Sequence, residues 1–381
     1  MASRRPRVVF FVTEDWYFWS HRLPLARAVR DCGGEVIVAV RVDRHGERIR
    51  AEGFRLVPLE LKREGFNPLN GLGTVARLTA LYRRERPDLV HHVAVKPVLL
   101  GTLAARLAGV PRVVNAFAGL GHAFTTESPS AIRYRKILKF ALPRLLGDAR
   151  VRVMAQNRDD AALLSEVSAL PVERITLIAG SGVDPERFRV EPEPSGEPVV
   201  TMVSRMLWDK GVAEFVAAAG QLKARHPGWR FLLVGSPDPH NPTTVPVAQL
   251  RAWHASGIVE WLGEREDIPA VLAGSHVAVL PSYREGFPKS LLEAAACGRA
   301  IVATDVPGCR HLVQDGCNGL LVPREDASAL AVAIERLGDD AGWRQRLGSA
   351  GRRMVEEHFS QAVVIRQTLA LYRSMGLEGF S

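Results

Sequence analysis

Short apolar runs alternate with amphipathic stretches along the first half of the chain, as strands and helices do when they follow one another. Buried parallel strands are continuous apolar runs, and Val8–Val12 is the first of these. The pattern predicts strands at 8–12, 35–40, 88–93 and 112–116, and helices at 20–32, 71–85, 97–108 and 130–146. Strands separated by helices at this spacing predict a mostly parallel sheet.

The alternation restarts after a stretch rich in glycine, proline and glutamate, GSGVDPERFRVEPEPSGEP at 180–198. Such a composition is typical of a connector between domains. Beyond it the pattern predicts strands at 199–203, 230–234, 258–261, 277–280 and 300–303, helices at 211–225, 289–297 and 326–337, and a terminal helical region at 343–375. We therefore expect an α/β fold of two doubly wound, Rossmann-like parallel-sheet domains that face a central cleft.

The composition of the 381 residues, 47% hydrophobic and 24% charged, is typical of a soluble globular enzyme. Its four cysteines form no CxxC pair and no zinc-like cluster with histidine, so we expect reduced thiols in a cytosolic protein without a structural metal. The apolar run that follows Arg7 is short, and no run approaches the roughly 18 residues of a membrane-spanning helix. We expect neither a secretory signal nor a transmembrane segment.

The net charge of +9 is divided unevenly between the two halves. Residues 1–190 contain 31 basic and 19 acidic side chains, whereas residues 191–381 contain 19 and 22. A basic half is typical of a protein that meets nucleic acid or an anionic lipid surface, although a solvated basic face is the plain alternative. The basic residues are scattered over several predicted helices without a nucleic-acid-binding motif, so we expect no nucleic-acid partner.

The predicted helix 130–146 has an apolar face with basic flanks. The apolar face comprises Tyr134, Ile137, Leu138, Ala141, Leu142 and Leu145, and the flanks comprise Arg133, Arg135, Lys136, Lys139 and Arg144. Such a helix lies either against the core or on an anionic cytoplasmic leaflet. The charge of the first half favours the membrane, so we expect a cytoplasmic protein that is peripheral on the inner face of the cytoplasmic membrane.

Candidate chemistry is concentrated in REGFPKSLLEAAAC at 284–297, which Gly298 follows. Pro288 suits the first turn of a helix and Gly298 its end, so Glu285 lies on the turn that precedes the helix. Amides at a helix start can hold an anion. Glu285 and Glu293 could then bind the remainder of a ligand whose phosphates lie over the helix start.

Two cations, Arg205 and Lys210, occupy SRMLWDKG at 204–211, on the loop after the predicted strand 199–203. That loop is the usual position for phosphate contacts in an open parallel sheet. Arginine offers a planar fork of donors and lysine a mobile point charge, which together suit a diphosphate. The alternative for these two cations is that they are ordinary charged residues of the surface. The alternative for Glu285 and Glu293 is that they are surface carboxylates that cap the start of a helix.

With these residues the sequence resembles the retaining glycosyltransferases of family 4, which have the GT-B fold. The matching segments include LLVGS, GEREDIP, LPSYREGFPKSLLEAAACGRAIVATDVPGCRHLV, DGCNGLLVP and FSQAVVIRQTLALYRSM. The resemblance implies an acceptor-binding domain at 1–180, a linker at 181–198, a donor-binding domain at 199–358 and a terminal helix at 359–381 that packs back on the first domain.

The resemblance also implies roles for individual residues. Glu285 would hydrogen-bond the donor sugar and Glu293 the ribose diol, while Arg205 and Lys210 would neutralise the departing diphosphate as it gains charge. Further donor contacts are implied at Gly286, Phe287, Ser290, Gly235 and Gly119. The sequence has no DxD motif, so we expect no divalent metal and no other cofactor; the donor would be a nucleotide-diphosphate sugar, most simply UDP-linked.

The segment TEDWYFWSHRLPLARA at 13–28 begins where a nucleotide-binding loop usually carries glycines, yet it has none. Together with HHVAVKP and VNAFAGLGHAF it resembles enzymes that build capsular polysaccharide, exopolysaccharide or O-antigen on a polyprenyl-diphosphate carrier. We expect an acceptor-binding loop at TEDWYFWSHR, 13–22, with a core or dimer-contact role as the alternative for its aromatics. The acceptor-side candidates are Trp16, Tyr17, Trp19, His21, Arg22, Lys96 and His122.

One departure from the family concerns its catalytic-site histidine, which Ala118 replaces here. His21 and His122 therefore become candidates for that role, and His91-His92 stands where relatives have His-x-His. Other readings are a sugar-nucleotide epimerase or a soluble sugar-phosphate transferase of the same fold, and, in other classes, a basic nucleic-acid binder or a Rossmann oxidoreductase. The last lacks its GxGxxG motif here.

Overall fold

The computed structural model describes residues 5–60, 68–119, 129–377 and 379–380. The chain forms two compact units, one of residues 1–181 with 364–381 and one of residues 182–363. Each unit is built on one parallel sheet, so the predicted α/β fold of two Rossmann-like domains is confirmed.

The first unit alternates strands and helices. Its elements are β1 (Arg7–Glu14), α1 (Asp15–His21), α2 (Leu23–Asp31), β2 (Glu35–Arg41), α3 (Gly46–Ala51), β3 (Arg55–Pro58), α4 (Pro68–Glu85), β4 (Leu89–Val93), α5 (Val95–Ala108), β5 (Val113–Phe117), α6 (Pro129–Leu146), β6 (Val151–Ala155), α7 (Arg158–Ser168) and β7 (Ile175–Leu177). The strand order is β3-β2-β1-β4-β5-β6-β7. Alternate residues of β1 enter separate hydrophobic clusters, Val9 and Phe11 in one, Val8 and Phe10 in the other, so both faces of the sheet are covered.

The second unit repeats the alternation. Its elements are β8 (Val199–Val203), α8 (Val212–Arg225), β9 (Arg230–Val234), α9 (Val247–Ala255), β10 (Glu260–Trp261), α10 (Ile268–Ala273), β11 (Val277–Leu280), α11 (Lys289–Ala296), β12 (Ala300–Thr304), α12 (Pro307–Leu312), β13 (Leu320–Val322), α13 (Ala327–Asp339) and α14 (Ala341–Met354). The strand order is β10-β9-β8-β11-β12-β13. The order reverses between β1 and β4 in the first sheet and between β8 and β11 in the second, and ligands bind at the carboxyl ends of strands at such points.

The expectation of a loop at 13–22 and a single helix at 20–32 was wrong. Residues 13 and 14 extend β1, residues 15–21 form α1, and the helix α2 begins only at Leu23. Phe18 is buried on the inner side of α1, and Asp15 lies in its first turn, where the helix dipole favours an acid. Pro24 at the start of α2 separates the two helices.

The boundary between the units also differs from the expected linker at 181–198. Residues 182–198 belong to the second unit. Val183 and Phe188 are buried, and Arg352 Nη1 donates to the carbonyls of Pro185 and Phe188 at 3.2 and 2.7 Å. Most of the glycine- and proline-rich stretch is thus fixed to the second unit by burial and hydrogen bonds.

The terminal helical region is broken in two. A π-helical turn at Val355–Phe359 follows α14, and α15 (Gln361–Ser374) begins after Ser360. From Val364 onwards the chain belongs to the first unit, where Tyr372 OH lies 2.5 Å from His91 Nδ1 inside the core.

A buried polar network fixes the centre of the first sheet. His92 Nδ1 lies 2.8 Å from Asn115 Oδ1, and because that oxygen only accepts, the ring donates there and accepts at Nε2 from Tyr82 OH at 3.1 Å. Burial lowers the pKa of His92 to about 4, so the ring is neutral. A Cβ at Gly101 on α5 would lie 2.5 Å from His92 Nε2, so the helix packs directly on this ring.

The substitution Gly101→Ala should lower the free energy of unfolding by about 1–3 kcal/mol, because the new methyl group has no room beside His92. The matched control is Gly73→Ala on the exposed side of α4, where a Cβ meets nothing within 4 Å. That change should raise stability by about 0.5–1 kcal/mol. Urea unfolding of both variants measures the difference, and shifts of equal sign would contradict the packing described.

Candidate active site

Lys210 and Glu285 form an ion pair between the loops that follow β8 and β11. Lys210 Nζ lies 2.6 Å from Glu285 Oε1, and Ser282 Oγ donates to the same oxygen at 2.7 Å. The two charged side chains are only 18% and 10% exposed, so solvent screens their attraction weakly. The structure thus brings together two predicted site residues that are far apart in sequence, at the point where the strand order of the second sheet reverses.

Backbone contacts hold these two loops against each other. A Cβ at Gly211 would lie 2.1 Å from the carbonyl oxygen of Pro281, and Gly211 has a φ of +75°, so only glycine fits there. Tyr283 N donates to Asp209 O at 2.9 Å, and Gly308 N donates to Glu285 O at 3.1 Å. The Lys210–Glu285 pair therefore rests on a rigid backbone frame.

Arg205 lies on the loop after β8, as the sequence predicts, but its guanidinium pairs with a carboxylate of another loop. Its Nη1 lies 2.8 Å from Asp238 Oδ2 on the loop after β9, and the side chain is 42% exposed. Ion pairs this exposed contribute little to stability. The guanidinium is accessible at the edge of the loop, but its charge is shared with Asp238, a residue that the sequence reading missed.

Some of the predicted donor-contact residues support the fold of the loops, and others are exposed where a ligand could reach them. A Cβ at Gly235 would lie 1.9 Å from Ser204 O, so this glycine allows the β8 and β9 loops to approach each other. The ring of Phe287 is buried against Phe359 at 5.1 Å between centroids, so only its backbone is available to a ligand. Gly286 and Ser290 are partly exposed near the start of α11.

Glu293 lies inside α11, one helical turn after Lys289. Lys289 Nζ is 3.6 Å from Glu293 Oε1, and the Glu293 side chain is 12% exposed. Burial raises the pKa of Glu293, while the charges of Lys289 and Arg187 oppose that shift. A carboxylate kept in such surroundings is a candidate for binding a ligand hydroxyl.

Helix α1 carries the acceptor-side aromatics on two faces. Tyr17 and His21, four residues apart, are stacked with centroids 4.2 Å apart, and Trp16 meets the edge of Tyr17. Trp19 is stacked on His45, with the guanidinium of Arg48 over its ring at 4.5 Å. The ring of Trp19 is therefore occupied by neighbours from α3 and the loop before it, which fits the packing alternative.

Arg22 is buried between α1 and α2. Burial raises the pKa of Tyr17, and the charge of Arg22 opposes that shift, so the two side chains are close together. Lys96 is half-buried in the first turn of α5. His21 is partly exposed and lies 2.6 Å from Ser20 Oγ through Nδ1.

Of the remaining predicted residues of the first domain, the structure describes Gly119, His91 and His92. Gly119 follows β5 with a φ of +90°, next to Ala118. His122 lies outside the described residues. His91 and His92 are buried, and both rings contact other side chains of the core.

The sequence analysis did not identify three polar side chains that hold residues of the candidate site in the second unit. Asp238 holds Arg205, Ser282 holds Glu285, and Glu214 Oε1 accepts from Tyr283 OH at 2.7 Å. Ser282 and Tyr283 lie in LPSYREGFPK, directly beside the residues that were chosen, so their position was a usable signal. Asp238 and Glu214 are distant in sequence from the residues they hold, and nothing local marks them.

In the part of the chain that the structure describes, no three side chains of His, Cys, Asp or Glu come together as a metal site would need. None of the described helices combines the length and apolarity required to cross a bilayer.

Two family descriptions match the chain. "Glycosyl transferase 4-like" matches residues 7–146 and "Glycosyl transferases group 1" matches residues 197–340. The first match covers β1 to α6, and the second covers β8 to the end of α13. Each sheet is therefore matched by its own family description.

Individual relatives match over most of their length. The N,N'-diacetylbacillosaminyl-diphospho-undecaprenol alpha-1,3-N-acetylgalactosaminyltransferase of Campylobacter jejuni is 30% identical, over 92% of this chain and 94% of that protein. The UDP-Gal:alpha-D-GlcNAc-diphosphoundecaprenol alpha-1,3-galactosyltransferase of Escherichia coli is 27% identical, over 71% and 72%. The structure of Anabaena HepE in complex with UDP-glucose has a TM-score of 0.79 and 19% identity, covers 97% of this chain and 99% of that one, and shares the fold.

Glu293→Gln should stabilise the unliganded protein at pH 7, because it removes a charge that burial disfavours. The folded pKa is raised above the ordinary value of 4.5, so the wild type gains stability as the pH falls through the interval between them. The advantage of the variant should therefore shrink towards pH 4.5. Urea unfolding at pH 7 and pH 5 measures it, with the exposed Glu266→Gln as control; an advantage that grows in acid would contradict the assignment.

Proposed function

Since the chain belongs to the group 1 glycosyltransferases of family 4, we propose that this enzyme transfers a sugar from a UDP-linked donor to a glycan carried on a polyprenyl diphosphate. The observation that carries the donor site is the Lys210–Glu285 pair at the reversal point of the second sheet. The undecaprenyl-diphosphate acceptors named for the Campylobacter and Escherichia relatives support the lipid carrier. The UDP-glucose named for HepE supports the nucleotide.

Lys210 and Glu285 would act on neighbouring parts of the donor. Glu285 is fixed by Ser282 and Lys210, and its second oxygen would accept a hydrogen bond from a hydroxyl of the donor sugar. Lys210, which has three donor hydrogens, would share its charge between Glu285 and the diphosphate. The leaving diphosphate gains negative charge in the transition state, so a lysine already in place stabilises that state most.

Arg205 and Glu293 would complete the donor site. Arg205 would exchange its exposed pairing with Asp238 for a phosphate group, two oxygens of which can accept from the guanidinium fork. Glu293 would accept from the ribose diol, which compensates its burial. Further contacts would come from the backbone at Gly286 and Phe287, from Ser290, and from Gly119 on the first unit.

We propose that the transfer retains the anomeric configuration and needs no divalent ion. Lys210 and Arg205 would supply the positive charge that a metal supplies at a DxD motif in other enzymes. Trp16, Tyr17, His21 and Lys96 would meet the acceptor from the first unit. Trp19 and Arg22 would support them, since their contacts lie within the fold.

Helix α6 offers a surface for the membrane that carries such an acceptor, but a different face from the one that the sequence suggested. Leu138 and Leu142 of the predicted apolar face are buried in the core. The outward face instead combines apolar and basic side chains, namely Ile132, Arg133, Lys136, Ile137, Lys139, Phe140 and Arg144. Phe140 is 64% exposed, with Arg144 over its ring at 3.8 Å. An anionic cytoplasmic leaflet would suit this mixed face.

Lys210→Gln and Glu285→Gln should each lower the transfer rate by about 100-fold or more, because each removes a group that stabilises the departing diphosphate or orients the sugar. Transfer of sugar from a panel of UDP-sugars to a polyprenyl-diphosphate-linked N-acetylhexosamine measures this. Because the two side chains form one pair, the double variant should lose less than the product of the single losses.

The control for these variants is Arg230→Gln, which breaks the exposed Arg230–Glu260 pair of the same sheet. Its transfer rate should equal that of the wild type. Chelator in the assay should leave the wild-type rate unchanged. Near-normal rates in both site variants would refute the donor site, and a strict requirement for Mg²⁺ or Mn²⁺ would refute the charge argument.

Replacing Arg133, Lys136 and Lys139 with Gln should weaken binding to vesicles that contain phosphatidylglycerol by about 100-fold, since each basic residue near an anionic surface contributes about 1 kcal/mol. Vesicle sedimentation at 0.1 M salt measures the affinity. The control variant carries Gln at three exposed arginines of the second unit, Arg251, Arg346 and Arg353, and should bind like the wild type. Equal losses in the two variants would show that α6 has no special role.

A further inference from the structure

Glu14 ends β1 beside the beginning of α5. β1 pairs with β4 in parallel, with Phe11 opposite His92, so Glu14 reaches about the level at which α5 begins at Val95. The residue is only 3% exposed. Its Oε2 lies 2.9 Å from Arg41 Nε, whereas its Oε1 has no hydrogen-bond partner among the described residues.

A buried carboxylate oxygen without a partner is costly to keep. Such atoms are rare in native proteins, and each one calls for an explanation such as a ligand or a catalytic role. Arg41 accounts for one oxygen of Glu14 and for its place at the end of β2. The other oxygen has capacity for a hydrogen bond that the described residues do not supply.

Lys96 in the first turn of α5 lies within the electrostatic reach of this carboxylate. Burial lowers the pKa of Lys96, and the charge of Glu14 acts in the opposite direction. The end of β1 and the start of α5 thus place an acceptor of hydrogen bonds and an ammonium donor in one region, at the reversal point of the first sheet.

The backbone that leads to Lys96 is strained. Ala94 has φ +78° and ψ 161°, a conformation that is essentially restricted to glycine. It is held there by Ala94 N donating to Ala116 O and by Val98 N donating to Ala94 O, both at 3.0 Å. This sharp turn sets the direction in which α5 leaves the sheet, and with it the position of Lys96.

We propose that Glu14 and Lys96 form a binding pair for the acceptor sugar: Glu14 Oε1 accepts from one hydroxyl, and Lys96 donates to an oxygen on a neighbouring carbon. The proposal rests on the proposed function and names the part of the acceptor that the first unit binds, namely the sugar rather than the diphosphate or the lipid. A carboxylate with one unused oxygen and an ammonium group match the donor and acceptor sides of a sugar diol. Arg41 keeps Glu14 oriented.

The competing explanation is that Glu14 only clamps β2 through Arg41. The two explanations differ in their effects, because a clamp contributes to stability and a binding residue to acceptor affinity. Glu85 provides the matched control. It is buried to a similar degree in the same unit, and it pairs with Arg55 at 2.7 Å. Arg55 begins β3, so this pair lies at the amino ends of the strands, whereas Glu14 lies at their carboxyl ends.

The experiment compares Glu14→Gln, Lys96→Gln and Glu85→Gln with the wild type. The acceptor probe is farnesyl-diphosphate-linked N-acetylglucosamine, offered with whichever UDP-sugar the wild type uses. Glu14→Gln and Lys96→Gln should each raise the acceptor KM at least about tenfold, since each removes a charge-assisted hydrogen bond. Their dissociation constants for UDP should match the wild type, and Glu85→Gln should change neither quantity.

An unchanged acceptor KM in Glu14→Gln would overturn the inference, and a lowered Tm beside it would assign Glu14 to the clamp. A second measurement uses calorimetric binding of the same probe without donor. Glu14→Gln should bind it at least about tenfold more weakly than the wild type, and equal binding would again overturn the pair. If the wild type binds UDP but neither binds the probe nor transfers sugar to any polyprenyl-linked acceptor, the proposed acceptor class fails, and the pair fails with it.

Discussion

Parallel strand pairing is the constraint on which the rest of the molecule depends. In a parallel sheet every strand ends at the same edge, and each crossover delivers its loop there. In the second unit this brings the loops after β8 and β11 together, so that Lys210 and Glu285 meet. In the first unit it brings the end of β1 beside the start of α5. Both places are points at which the strand order reverses, and both therefore offer a gap between helices.

The loops that carry the proposed donor residues could be predicted from the sequence because their signals are local. Pro288 and Gly298 mark the ends of α11, and the run before Ser204 identifies β8, so the loops that carry Lys210 and Glu285 follow directly. The pairing of Arg205 with Asp238 could not be predicted, because it depends on how the β8 and β9 loops lie against each other. The same holds for Tyr283 and Glu214.

The first unit shows where the sequence reading failed. The missing glycines after β1 suggested an unusual loop, yet Tyr17 and His21 are four residues apart and stack as neighbours on a helix do. That spacing was a helical signal. The partners of Trp19 come from residues 45 and 48, and no local pattern announces them. Helix α7 was not among the predicted helices, although its start is marked in the sequence: Asn157 is a typical capping residue, and its side chain accepts from Asp160 N.

Three cations of the proposed donor site are paired with carboxylates in this structure. Lys210 pairs with Glu285, Arg205 with Asp238 and Lys289 with Glu293. A donor phosphate bound there would have to compete with a carboxylate for each of them. The net positive charge of the sequence lies in the first half of the chain, and the outward face of α6 carries part of it.

The return of the chain from the second unit to the first has a consequence for synthesis. Leu369, Tyr372 and Phe380 contribute to the core around Phe10, although more than 350 residues separate them from β1. During translation the second unit has its whole sequence available before the first unit can complete its core. The amino-terminal sheet must therefore wait, with part of its apolar surface uncovered, until the final helix has emerged from the ribosome.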